Sequence, residues 1–133
     1  MKSKLRRLVK FGAVGASGVG VNLALLYLFT DVAGLHYAAS AFIAIEASII
    51  SNFLLNDRWT FRDRRDNKTW PRLLRFNTVS AAGIGVNMGI MALLVEVAGM
   101  HYLIAEILAI LCAFIWNYTL SSRFVWRGRY ANV

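Results

Sequence analysis

Two stretches of this chain carry residue types that could do chemistry at a membrane surface. Asn52-Phe53-Leu54-Leu55-Asn56-Asp57-Arg58-Trp59-Thr60-Phe61-Arg62 closes one apolar segment. Asn117-Tyr118-Thr119-Leu120-Ser121-Ser122-Arg123-Phe124-Val125-Trp126-Arg127 closes another, 65 positions later. An arginine at headgroup depth can grip a phosphate with two parallel hydrogen bonds, and an asparagine adds a neutral donor. Arg58 with Asn52, and Arg123 with Asn117, are therefore candidate lipid-phosphate contacts. The plainer alternative is that these arginines anchor helix ends to bulk phospholipid. Trp59, Phe61 and Trp126, with Trp70 and Tyr130, fit an inner interfacial belt of aromatics, and Tyr37 and Tyr102 an outer one.

A second set of polar residues lies inside apolar segments. Glu106, Ile110, Ala113, Asn117 and Ser121 recur at helical spacing and form one polar track; Ala41, Ile45, Ser48, Asn52 and Asn56 repeat it. Both tracks are expected to face the interior of a helix bundle. Glu46 is off that track and lies near mid-membrane, at about the depth of Asn22. A charged carboxylate there costs at least ~2.5 kcal/mol, so it should be protonated or hydrogen-bonded. It serves either proton coupling and a substrate pathway or a structural hydrogen bond. Glu106 sits nearer the outer edge. Asn22, Asn87, Ser48, Glu46 and Glu106 together are the candidate polar pathway. Gly15, Gly18 and Asn22 share a helix face, as do Ser80, Gly83 and Asn87; such small residues allow close helix packing or leave a groove for a lipid chain.

The elements that must position these groups follow from composition. With 58% hydrophobic residues in 133, the chain is too apolar for a soluble domain of its size. Residues 11–30, 37–56, 76–95 and 102–122 are free of Lys and Arg. At 1.5 Å per residue, about 20 residues cross the hydrocarbon layer. None of the four has the polar stripe that a soluble bundle helix needs. The fold class is thus an all-α membrane protein with four transmembrane helices. The N-terminal run is longer than a signal-peptide core and three spans follow, so it reads as an uncleaved first helix. The lone Cys112 excludes a disulfide framework, and no Cys/His pair or metal-ligand cluster stands out; neither a metal nor another cofactor is expected.

All fifteen basic residues lie outside the spans: before the first, between the second and third, and after the fourth. The positive-inside rule then places both termini in the cytoplasm and the turns at Asp31–His36 and Glu96–His101 outside. The net charge of +8 reports topology and anionic lipid headgroups rather than nucleic acid.

The halves align without a gap. Phe11, Val14, Ala16, Gly18, Gly20, Val21 and Asn22 match Phe76, Val79, Ala81, Gly83, Gly85, Val86 and Asn87, and Val32-Ala33-Gly34 through His36-Tyr37 match Val97-Ala98-Gly99 through His101-Tyr102. The chain reads as one domain over 1–133 containing two tandem helical hairpins, about 7–62 and about 72–127. Each has an even number of crossings, so the repeats should run parallel about an axis along the membrane normal. His36 and His101 read as helix-turn punctuation, Thr69 as a helix cap ahead of Pro71, and Arg62–Lys68 as the flexible linker. Glu46 and Glu106 are not repeat partners, which makes the halves functionally unequal.

The opening Lys10-Phe11-x-x-Val14-Gly15, the exit Asn52-Phe53-x-x-Asn56-x-Arg58-Trp59-Thr60-Phe61 and its weaker second copy resemble the GtrA-like family, over about residues 7–127. The second copy departs at Tyr118, Ser121, Phe124 and Trp126, which makes a phosphate role firmer at Arg58 than at Arg123. The resemblance implies a flippase, or flippase subunit, that carries a polyprenyl-phosphate-linked sugar across the cytoplasmic membrane for cell-surface polysaccharide synthesis. It implies, too, a membrane glycosyltransferase as partner; with no nucleotide-sugar site here, that enzyme should be a separate chain and this one not an enzyme. A narrow four-helix bundle leaves room for a homo-oligomer. The other readings are a non-transporting anchor that recruits the transferase and, on Glu46 alone, a small proton-coupled exporter.

Overall fold

The computed structural model describes residues 2–127; Arg129 and Tyr130 of the basic and aromatic sets lie outside the described residues. The chain contains four long helices, α1 (Lys2–Tyr27), α2 (Tyr37–Leu55), α3 (Thr69–Ala92) and α4 (Tyr102–Leu120). Each continues into a five-residue π-helical turn, at Leu28–Val32, Asn56–Thr60, Leu93–Val97 and Ser121–Val125 respectively. Among the described residues, the four combined segments Lys2–Val32, Tyr37–Thr60, Thr69–Val97 and Tyr102–Val125 are long and apolar enough to cross a membrane. The protein is an all-α, multi-pass membrane protein.

Two boundaries differ from expectation. α1 and α3 start well before the apolar spans, so the basic residues ahead of each span are carried on helix rather than on loop. Thr69 is the first residue of α3 rather than its cap; the N-cap position is Lys68, whose side chain does not cap the helix. The segment read as a linker is also tied down. Arg62–Arg64 form a 3₁₀ turn, and the carboxylates of Asp63 and Asp57 pair with Arg7 and Arg65.

The chain divides into two compact units, residues 1–67 and 68–133, each built on a helical hairpin. In the first, α1 turns Phe11, Val14 and Gly18 inward at helical spacing, and α2 buries Ser40, Ala44, Ile49 and Phe53. Lipid is as apolar as these side chains, so burial supplies little drive; small residues that let backbones come close do. Gly18 is the closest point: a Cβ there would fall on the Asn52 carboxamide, 2.7 Å from Nδ2. The second unit repeats this contact, with Gly83 against the carboxamide of Asn117. Here α3 buries Arg72, Phe76, Val79 and Gly83, and α4 buries Ala105 and Ala109.

The hairpin turns are built alike. Gly34 (φ +75°) and Gly99 (φ +67°) adopt the left-handed conformation that glycine tolerates. This lets the Leu35 and Met100 amides donate to the carbonyls of Phe29 and Leu94, both at 2.9 Å. His36 Nδ1 then accepts from the Ala38 amide at 3.1 Å, and His101 Nδ1 from the Leu103 amide at 3.2 Å, capping α2 and α4. Both histidines are helix punctuation, as their position before Tyr37 and Tyr102 implied.

Candidate phosphate cleft and intramembrane polar pairs

The start of α1 places Ser3, Arg6, Arg7 and Lys10 on one face, at the spacing of neighbouring helical turns. The π turn after α2 and the 3₁₀ turn beyond it bring Trp59, Arg62 and Asp63 to the same place. Together they line an open cleft of about 490 Å³. Arg7 spans it: one guanidinium nitrogen donates to both Asp63 oxygens, at 3.0 and 2.8 Å, while the guanidinium carbon lies 5.6 Å from the Phe61 ring centre. Lys10 stands 5.2 Å above the Trp59 ring. Phe61 is fully buried and meets Phe11 edge-on, centroids 6.1 Å apart. That contact joins the turn to α1 and fixes the wall of the cleft.

Arg7 and Asp63 neutralise each other. Arg6, Lys10 and Arg62 have no carboxylate partner among the described residues, so the cleft holds three uncompensated cations. Beneath it, Asp57 is buried and bound to Arg65 at 3.0 Å, and Thr60 Oγ1 donates to Asn56 Oδ1 at 2.7 Å. These contacts satisfy the polar groups of the turn, as buried polar groups must be.

The expected site residues fall into three places. Arg58 and Arg123 are exposed, and Arg58 does not line the cleft. Asn52 and Asn117 pack against Gly18 and Gly83 inside the hairpins, with Oδ1 buried and accepting no hydrogen bond. Of the three interfacial aromatics, Trp59 is half-exposed, whereas Phe61 and Trp126 are fully buried. The structure assigns those two to hairpin packing because each meets a phenylalanine one helix away; Trp126 meets Phe76 at 5.4 Å.

Two of the mid-membrane residues are joined directly in the second hairpin. Asn87 Nδ2 donates to Glu106 Oε1 at 3.2 Å, an α3–α4 link near the outer edge of the second hairpin. In the first hairpin Ala41 occupies the position of Glu106, and Asn22 is half-buried; Glu46 is half-buried and engaged by a neighbour, and Ser48 is half-buried. At the far end of α1 a second groove, about 400 Å³, is lined by Tyr27, Thr30, Asp31 and Tyr37 among others. Sequence reasoning missed the cleft cations Arg6, Lys10 and Arg62. Their signal was the 3–4 spacing of Ser3, Arg6, Arg7 and Lys10, which only matters once the helix is seen to begin at Lys2.

Residues 10–126 match the family described as GtrA/DPMS, transmembrane domain. A curated relative, the dolichol-phosphate mannosyltransferase of Pyrococcus furiosus, is 36% identical over 125 residues; these cover 94% of this chain and 35% of the relative. The chain thus spans about a third of that protein's length. This chain belongs to the GtrA/DPMS transmembrane-domain family.

Proposed function

We propose that this member of the family receives a polyprenyl-phosphate-linked sugar at the basic end of its first hairpin and passes it across the cytoplasmic membrane, as a flippase or flippase subunit in cell-surface polysaccharide synthesis. The observation that carries this reading is the cationic cleft, which supplies charge-assisted donors at the lipid–water boundary. All the cleft cations lie outside the apolar spans, on the side that the distribution of Lys and Arg assigns to the cytoplasm. Arg7, held by Asp63, orients the site; Arg6, Lys10 and Arg62 are free to take the phosphate, and Arg58 lies beside Trp59 to extend it. Asn52 and Asn117 act as positioning residues that set the hairpin separation.

A sugar's hydroxyls need partners in transit. Asn22, Ser48, Glu46, Asn87 and Glu106 supply them along the helices, and the groove at Tyr27, Thr30, Asp31 and Tyr37 offers hydroxyl, carboxylate and aromatic groups at the opposite end. The chemistry of sugar transfer belongs, in this reading, to a membrane glycosyltransferase, with this chain as its non-catalytic partner. A second reading has a specific observation in its favour: the relative is named as a transferase and extends far beyond the matched region. There the domain would only anchor the enzyme.

Reconstitution into liposomes with a fluorescent polyprenyl-phosphate sugar separates the two. The flippase reading predicts protein-dependent leaflet exchange that falls when Arg6 and Arg62 are replaced by Gln. Absence of exchange, together with release of the transferase from membranes lacking this chain, contradicts it and leaves the anchor.

A further inference from the structure

The charge of the cleft deepens that reading, on which this inference rests, by selecting among phosphate ligands. A sugar-loaded carrier is a phosphodiester and carries one negative charge. The sugar-free carrier is a phosphomonoester, with about −1.5 to −2 charges at pH 7 and three acceptor oxygens. The cleft lines four cations against one carboxylate, a net charge of +3. The pairing of Arg7 with Asp63 leaves Arg6, Lys10 and Arg62 as three donors for three oxygens. The cleft is also open, so a terminal phosphate enters without a sugar's bulk having to be excluded.

The tail has a route as well. Trp59, which lines the cleft, stands 49% exposed at its rim. An apolar chain leaving the phosphate therefore meets an aromatic surface beside the cations. A free anion gains nothing from this arrangement; an anion joined to a prenyl chain does.

We infer that the cleft is a site for the phosphomonoester head of the sugar-free polyprenyl phosphate, held in preference to the sugar-loaded diester. That molecule is the acceptor a polyprenyl-phosphate glycosyltransferase consumes. The cleft thus stocks the enzyme's acceptor on the side where the sugar is attached, and the weaker hold on the diester lets the product leave. Attraction in a partly screened site scales with ligand charge, so the preference is expected to be about tenfold at low salt.

The test uses the full chain in phosphatidylcholine nanodiscs and three probes: farnesyl phosphate, its methyl diester and inorganic phosphate. Binding is read by quenching of tryptophan fluorescence and by thermophoresis. The monoester should bind about tenfold tighter than the diester at pH 7.5, and the difference should shrink at pH 5, where the monoester loses its second charge. Arg6→Gln with Arg62→Gln should abolish the preference, whereas Arg75→Gln should keep it; all three positions are exposed, so folding is not at stake. Equal affinities for the two esters, or a preference that survives the double variant, overturns the inference. Inorganic phosphate binding as tightly as farnesyl phosphate overturns it too, by making the site one for free phosphate. Leaflet exchange of the loaded lipid without a monoester preference removes this inference alone; a preference without exchange removes only the flippase reading.

Discussion

The two hairpins share their frame and differ at their basic ends. Both set a glycine against an asparagine, both close the turn with a left-handed glycine and a histidine cap, and both meet an aromatic edge-on at the end of the second helix. In the first hairpin Arg7 lies at the edge of an open cleft, 16% exposed in its side chain, and is balanced by Asp63. At the matching position of the second, Arg72 is fully buried and engaged, and Trp126, which matches Phe61, is equally buried. The larger indole replaces Phe61, and the arginine becomes part of the core. One copy has kept a surface that can meet a ligand while the other has turned the same residues into packing.

Substitutions at matching positions of the two hairpins test this difference. The largest effect should come from Arg72→Ala. It leaves the partners of a buried guanidinium unmatched and is expected to cost about 3 kcal/mol, against about 1 kcal/mol for Arg7→Ala, whose ion pair is partly exposed. Equilibrium unfolding in mixed micelles measures both; equal losses would contradict the division into core and surface. Next, Gly18→Val and Gly83→Val should each cost about 1–3 kcal/mol by overpacking, because a Cβ at either site meets an asparagine. Asn52→Ala and Asn117→Ala should restore part of that loss in the respective hairpins, and a double-mutant cycle reads the coupling.

A smaller difference is expected at mid-membrane. Asn87→Ala removes the hydrogen bond to Glu106 and should cost about 1 kcal/mol, while Asn22→Ala, facing Ala41's register, should change stability less. The smallest effect belongs to Trp59→Ala. It gives up the stacking of Lys10, worth roughly 0.5–1 kcal/mol at an exposed site, and should show more clearly in ligand affinity than in stability.

The spans, their number and the duplication were legible in the sequence, because length, apolarity and a fixed offset are one-dimensional signals. So was the capping by His36 and His101, which rests on neighbours two residues away. The cleft was not. It depends on α1 starting at Lys2, on the π turn that re-aims Trp59, and on Asp63 reaching across 56 positions to Arg7. The last looked like a residue of a flexible linker. The aromatics misled for a related reason: Phe61 and Trp126 have interfacial composition around them, yet each finds a phenylalanine on the preceding helix and turns inward. Asn52 and Arg58 looked like one site because they are close in sequence; the structure sends the first into the hairpin and leaves the second exposed.

The central question is whether the first hairpin's basic end alone handles the lipid phosphate. Leaflet exchange of a labelled polyprenyl-phosphate sugar, measured in liposomes at fixed protein density, compares Arg6→Gln/Arg62→Gln with Arg123→Gln/Arg127→Gln. Exchange should fall at least about tenfold in the first pair, a barrier change of about 1.4 kcal/mol, and stay nearly unchanged in the second. Equal loss in both pairs, or loss only in the second, would contradict it.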